Sequence, residues 1–221
     1  MAKIIIQDKI KKFNKTIRVD GDKSLSIRSL LFGSQSYGLC KIKNLSKSGD
    51  ILSTINGLKK LGIKIVFKKE ICYLYGKGLN GFNYRKNILI NAGNSGTFAR
   101  LLLGLLIKTP HEIKLVGDTS LSKRDFQRII DPLKEFGANF KSQNKKNLPL
   151  KILGTEFLKP INYFEKKGSA QCKSSVILAA LNTPGKTLIN AKKSRNHTEL
   201  FLKYLNIPIQ IKTKKNYDMI E

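Results

Sequence analysis

The residues best placed to do chemistry are three arginines, Arg28, Arg100 and Arg124, each four positions beyond a serine or glycine in a polar turn. Around Arg100 the apolar run Ile88, Leu89 and Ile90 meets the turn Asn91 to Thr97, and a helix-like run continues to Ile107. Strand, turn and helix start follow in that order. Gly93 and Gly96 permit positive φ and close approach of a ligand to the backbone. Ser95 and Thr97 add hydroxyls, and the free amides of a helix's first turn attract an anion. Arg100 lies about one helical turn beyond Gly96, so its guanidinium reaches whatever those amides hold, as a carboxylate or phosphate clamp. An ordinary glycine turn capping a core helix explains this stretch equally well. Repetition favours the clamp: Gly21 to Arg28 and Gly117 to Arg124 are identical at six of eight positions, and in each a serine precedes the arginine by four residues. Three basic clamps from three segments point to one multiply anionic ligand.

The elements that must position these clamps also repeat. A helix is expected from about Lys23 to Ser34 with Ile27, Leu30, Leu31 and Ser34 on one face, then a strand around Ile42 and Leu45, and a helix from Asp50 to Leu61 ending at Gly62. Two or three short strands follow to about Gly76. The helix end Leu58, Lys59, Lys60, Leu61, Gly62 is echoed by Leu133, Lys134, Glu135, Phe136, Gly137 and more loosely by Leu202, Lys203, Tyr204, Leu205, Asn206, a spacing of about 70 to 75 residues. The chain therefore reads as three copies of one αβ unit. The third starts near Leu158, has helices from about Gln171 to Leu181 and Thr198 to Leu205 around a strand at Thr187 to Ala191, and stops before its last strands are complete. Its polar turn is Gly168, Ser169, Ala170, Gln171, which serves ligand hydroxyls or simply caps its own helix. Ser194, Arg195, Asn196 and His197 form a last polar group, in which the lone His197 is more readily structural than catalytic. Residues 3 to 19 read as a strand pair or extended lead-in.

Composition narrows the function classes. The chain has 221 residues, 41% of them hydrophobic, enough for one substantial core or two small ones. Cys40, Cys72 and Cys172 are odd in number, widely spaced and away from metal-ligand spacing, which points to reduced thiols in a cytoplasmic protein. No apolar run is long enough for a signal segment or a membrane span. The net charge of +27 invites a nucleic-acid reading. Yet Lys outnumbers Arg 35 to 7, the lysines are scattered, and aromatics are not interleaved with them as a stacking platform requires. Ser120 and Lys123 have the S-x-x-K spacing of serine acyl-transfer enzymes, but the companion motifs are missing: Lys186 and Thr187 are followed by Leu188, and Asn196 follows Arg195.

Four turns taken together resemble the enolpyruvyl transferases, on the branch acting on shikimate 3-phosphate. Gly21 to Arg28 resembles that family's Gly-Asp-Lys-Ser-x-Ser-x-Arg motif, Asn94 to Arg100 its Asn-Ala/Ser-Gly-Thr-x-x-Arg motif, Gly117 to Arg124 its Gly-Asp-x-Ser-Leu-x-x-Arg motif and Ser169 to Lys173 its Ser-Ala-Gln-x-Lys motif. The resemblance runs from about Asp20 to Leu205. It implies an α/β (α+β) fold with two lobes, each an inside-out, barrel-like arrangement of three βαβαββ repeats. Residues 20–221 would form the shikimate-3-phosphate lobe, the last repeat cut short; residues 1–19 would be a strand segment belonging with the second lobe, which is missing from this chain.

The resemblance also implies transfer of the enolpyruvyl group of phosphoenolpyruvate to the 5-hydroxyl of shikimate 3-phosphate, in chorismate and aromatic amino acid biosynthesis, without metal or other cofactor. Lys23 would be catalytic and contact both substrates. Ser24, Arg28, Ser169, Ala170, Gln171, Ser194 and His197 would hold shikimate 3-phosphate. Asn94, Gly96, Arg100, Arg124 and Gln171 would line the phosphoenolpyruvate site, and Gly96 would admit the inhibitor glyphosate. The expected partners are those two small molecules and a complementary C-terminal half, without membrane or nucleic acid. A chain with one lobe is expected to turn over little or not at all alone. Departures from the pattern are Asp20 and Asp125 for prolines, Ile27 for histidine and Asn196 for aspartate. The alternatives are a relative acting on UDP-N-acetylglucosamine and a noncatalytic module binding anions or nucleic acid.

Overall fold

Asp22 starts the first helix. Its carboxylate accepts a hydrogen bond from the amide of Leu25 at 2.7 Å, satisfying one of the amides that a helix start leaves without a partner. In this computed structural model, which describes residues 5, 12, 14–17, 19–142 and 146–221, that helix is α1 (Lys23–Gln35). Ile27, Leu30, Leu31 and Ser34 are buried along it as their spacing requires. β1 (Tyr37–Ile42), α2 (Gly49–Lys60), β2 (Lys64–Lys68) and β3 (Ile71–Lys77) follow, and the three strands form an antiparallel sheet in the order β1-β3-β2. The strand expected around Ile42 and Leu45 begins five residues earlier, at Tyr37. Tyr37 and Leu39 are exposed, so no apolar alternation marks the strand, and pairing with β3 defines it.

The next segment comprises β4 (Ile88–Asn91), α3 (Gly96–Leu105), β5 (Ile113–Val116), the single turn α4 (Thr119–Ser122), α5 (Gln127–Glu135), β6 (Asn139–Ser142) and β7 (Leu150–Leu153). The last comprises β8 (Asn162–Glu165), α6 (Ala170–Ala180), β9 (Leu188–Lys192), α7 (His197–Tyr204), β10 (Ile211–Thr213) and β11 (Tyr217–Ile220). Their sheets have the same plan: β4 runs parallel to β5 and β8 to β9, and the remaining pairs are antiparallel in the orders β4-β5-β7-β6 and β8-β9-β11-β10. The segment expected to stop short thus carries its last two strands. The three echoed helix ends behave alike. Gly62, Gly137 and Asn206 have φ of +83°, +113° and +55°, and the following amides of Ile63, Ala138 and Ile207 reach back to the carbonyls of Leu58, Leu133 and Leu202. The expected strand segment 1–19 lies largely outside the described residues; those described within it carry no strand, and Ile17 and Val19 are exposed.

Every segment contributes to one continuous apolar core. At its centre α3 packs on α6 so closely that a Cβ at Gly104 would lie 2.2 Å from the Ser175 carbonyl oxygen. The cysteines are free, with Cys72 and Cys172 buried and Cys40 half-buried. No helix among the described residues is long and apolar enough to cross a membrane.

Candidate active site

The two copies of Gly-Asp-x-Ser-Leu-Ser perform the same local task. Asp118 caps α4 as Asp22 caps α1, accepting from the amide of Leu121 at 2.7 Å. They then diverge, because α1 continues for 13 residues whereas α4 ends at Ser122. Phe126 is the reason: its ring is fully buried and its amide donates to the Lys146 carbonyl at 2.7 Å, so the chain leaves the helix to place it. Arg28 therefore projects from a helix and Arg124 from a loop. The amide of Asp118 donates to the carbonyl of Gly93 at 2.8 Å, which ties this loop to the turn before α3. Ser95 caps α3 and Ser169 caps α6, each through its hydroxyl.

The starts of α1, α3, α6 and α7 converge on an open cleft of about 490 Å³. Lys23, Ser24 and Arg28 line one side, Asn94, Gly96, Thr97 and Arg124 another, and Ala170, Gln171, Arg195 and His197 a third. The ammonium of Lys23 stands 3.0 Å from the Asp50 carboxylate, the one acidic group lining the cleft among the described residues. Arg124 donates to the Asn94 side-chain oxygen at 3.2 Å. The cationic side chains outnumber that carboxylate, and helix amides add to the same sign, so the cleft is built for anions. A larger cleft of about 630 Å³ runs past Leu45, Ile51 and Phe67. It gathers no helix start except the capping turn of α2, and Asp20 and Glu70 offset Lys47 and Lys69 along its lining, so it lacks the converging cations.

Several expected site residues take less direct positions. Arg100 lies outside the cleft lining. Its guanidinium donates to the Gln171 side-chain oxygen at 2.6 Å and to the Asp125 carbonyl at 3.4 Å, and sits over the Phe126 ring at 5.2 Å. Burial pushes its pKa down, with Cys172 opposing and Arg124 and Arg128 adding to the fall. Gln171, held by Arg100 on one side, donates to the Thr97 hydroxyl at 3.0 Å on the other. The Ser169 hydroxyl accepts from the Cys172 amide at 3.3 Å, the simple capping role, while its amide donates to the buried Glu165 carboxylate at 2.9 Å. The Ser194 hydroxyl is buried without a partner among the described residues. Ile27, which departs from the resembled motif, belongs to the core and does not line the cleft.

Other participants escaped sequence reasoning. In the sequence Asp50 marks only the start of the second helix, and Arg195 is only part of a polar run. Arg28 is 4% exposed and is held by Thr198, Ser174 and the Ser24 carbonyl. Burial lowers its pKa, with Glu199 opposing and Arg195 adding to the fall; a guanidinium nonetheless keeps its proton. Beside it, the fully buried Lys173 meets the Glu199 carboxylate at 2.6 Å. No local pattern announces contacts between residues so far apart in sequence.

The family described as EPSP synthase (3-phosphoshikimate 1-carboxyvinyltransferase) matches residues 7–221. A curated 3-phosphoshikimate 1-carboxyvinyltransferase from Streptococcus agalactiae is 45% identical over 202 residues, 90% of this chain and 47% of the relative. One from Vesicomyosocius okutanii is 40% identical over 217 residues, 98% of this chain and 49% of the relative. Among solved structures, EPSP synthase from Acinetobacter baumannii aligns with a TM-score of 0.83 at 33% identity, covering 92% of this chain and 46% of that one. The chain spans about half the length of the curated relatives it matches.

Proposed function

Since the chain belongs to the EPSP synthase (3-phosphoshikimate 1-carboxyvinyltransferase) family, we propose that it is the shikimate-3-phosphate-binding lobe of such an enzyme. The observation that carries this reading is the convergence of Lys23, Arg28, Arg124 and Arg195 with four helix starts on one cleft. In the reaction, the 5-hydroxyl of shikimate 3-phosphate gives up its proton as its oxygen bonds to C2 of phosphoenolpyruvate and C3 takes a proton. The C2–O bond to phosphate then breaks, C3 gives up a proton, and the enol ether and inorganic phosphate remain.

Ser24, Arg28, Ala170, Gln171 and His197 face shikimate 3-phosphate, with Ser169 shaping the turn before α6 and Ser194 offering its hydroxyl. Asn94, Gly96 and Arg124 bound the phosphoenolpyruvate side, where Arg100 acts by fixing Gln171. Lys23 lies between the two groups and reaches both by leaving Asp50. Fixed cations contribute positioning and electrostatic stabilisation of the tetrahedral intermediate. The remaining length of the relatives supplies the second wall of the cleft and the groups that move protons, so this chain alone binds without turning over. The like plans of the second and third sheets, and the three like helix ends, support a lobe of three βαβαββ units closing into a barrel-like arrangement.

Calorimetric titration of the chain with shikimate 3-phosphate, beside shikimate and duplex DNA, tests the reading. Saturable binding that needs the phosphate and weakens in Arg28→Ala is expected. Binding of DNA without binding of shikimate 3-phosphate would replace it with a basic, noncatalytic module.

A further inference from the structure

Two hydroxyls remote in sequence hold Arg28 from beneath the cleft. Its Nε donates to Thr198 Oγ1 at 2.8 Å and its Nη2 to Ser174 Oγ at 3.0 Å, and the two hydroxyl oxygens are hydrogen-bonded to each other at 2.7 Å. Nη1 donates to the Ser24 carbonyl at 3.1 Å. Thr198 and Ser174 are fully buried, at 0% and 1% exposure. We infer that Thr198, together with Ser174, is a positioning residue for anion recognition by Arg28, an inference that rests on the shikimate-3-phosphate reading above.

A guanidinium carries five N–H donors in one rigid plane. The hydroxyl pair fills the edge formed by Nε and Nη2, and Ser24 takes one donor of Nη1. One N–H on Nη1 and one on Nη2 remain, and Arg28 borders the cleft. Those two donors match the two oxygens of a carboxylate or the paired oxygens of a phosphate.

The chemical nature of the supports matters as much as their geometry. A carboxylate on the Nε edge would hold the fork equally well but would cancel its charge. Hydroxyls orient it and leave the charge to the ligand. The buried acid nearby, Glu199, is directed to Lys173 at 2.6 Å and does not bond Arg28. Because Ser174 sits on α6 and Thr198 on α7, the aim of Arg28 is tied to the two helices whose first turns bring Gln171 and His197 to the same cleft.

Titration of the whole chain with shikimate 3-phosphate, with thermal midpoints recorded beside it, tests the role. Thr198→Val keeps the shape and loses the hydroxyl, and should weaken binding by about tenfold or more, whereas Thr198→Ser should stay within about threefold of the parent. The Nε–H resonance of Arg28, assigned by its loss in Arg28→Lys, should exchange slowly in the parent and Thr198→Ser and rapidly in Thr198→Val. Should Thr198→Val be unfolded at the titration temperature, Ser174→Ala, which removes the Nη2 partner and the hydrogen bond between the two hydroxyls, carries the same expected loss of affinity. Unchanged affinity despite rapid Nε–H exchange, or lost affinity with that proton still protected, overturns the inference. A parent chain that fails to bind shikimate 3-phosphate overturns the reading beneath it, and does so before any variant is made.

Discussion

Gly96 has room for a hydrogen and little more. A Cβ there would lie 3.0 Å from Nη1 of Arg124 and 3.3 Å from Nη1 of Arg100, so alanine must push two guanidinium tips aside by a few tenths of an ångström. Both are ends of flexible side chains, so stability should move by no more than about 0.5 kcal/mol. The anion site itself should suffer. In an enzyme completed by a second lobe, glyphosate should inhibit the parent, and Gly96→Ala should raise its inhibition constant by about tenfold or more, a loss of about 1.4 kcal/mol. Turnover by the parent that ignores glyphosate would remove Gly96 from the phosphoenolpyruvate site. At this scale the gathering of Lys23, Ser24, Arg28, Asn94, Gly96, Arg124 and Gln171 around one cleft was legible because each lies in a short motif with its backbone turn. Asp50, Thr198 and Ser174 were illegible because their partners lie on other elements, far away in sequence. Arg100 is expected in the anion site from its motif, but it lies outside the cleft lining because Gln171 and Phe126 decide its aim.

Helices α6 and α7 are fastened by one buried ion pair, and its energetics are asymmetric. Lys173 is 0% exposed and Glu199 2%, with their charged atoms 2.6 Å apart. Removing one partner leaves an uncompensated charge in the core, so Lys173→Met should lower the unfolding free energy by about 3–5 kcal/mol. The double variant Lys173→Met, Glu199→Leu replaces the pair by apolar groups and should recover most of that loss. Urea unfolding of the two variants decides; equal losses would mean that the carboxylate finds water or another partner. The ends of α2, α5 and α7 were legible from Leu58 to Gly62, Leu133 to Gly137 and Leu202 to Asn206, since a glycine or asparagine turning left-handed after a helix is a local matter. The early end of α4 was not, because the burial of Phe126 overrides the helical pattern carried over from Gly21 to Arg28.

One core runs through all the segments, which sets how the molecule opens. Cys72 lies on β3 and Cys172 on α6, both buried, whereas Cys40 is half-buried beside the Ser36 hydroxyl at 3.0 Å. Burial pushes the Cys72 thiol from 9.0 to about 11, with Lys59 opposing, and burial likewise raises Cys172 despite its hydrogen bond with Ser169. The fold thus favours the neutral thiols. Their stabilising contribution is intact below the ordinary thiol pKa and, for Cys72, is lost as pH rises from 9.0 towards about 11. The thermal midpoint should fall across that window, and Cys72→Val should lessen the fall; an identical fall in the variant would assign it to other groups. Alkylation extends the test to the whole chain. The thiolate is the reactive form, so Cys72 and Cys172 should react only through opening of the core, after Cys40 has been labelled. Because α3 joins the first and third segments across a continuous apolar interior, both buried thiols should report the same opening free energy and the same urea dependence. Mass spectrometry of each cysteine against urea measures this directly. A difference greater than about 1 kcal/mol between the two would show that the repeated segments, alike in plan, open as separate units.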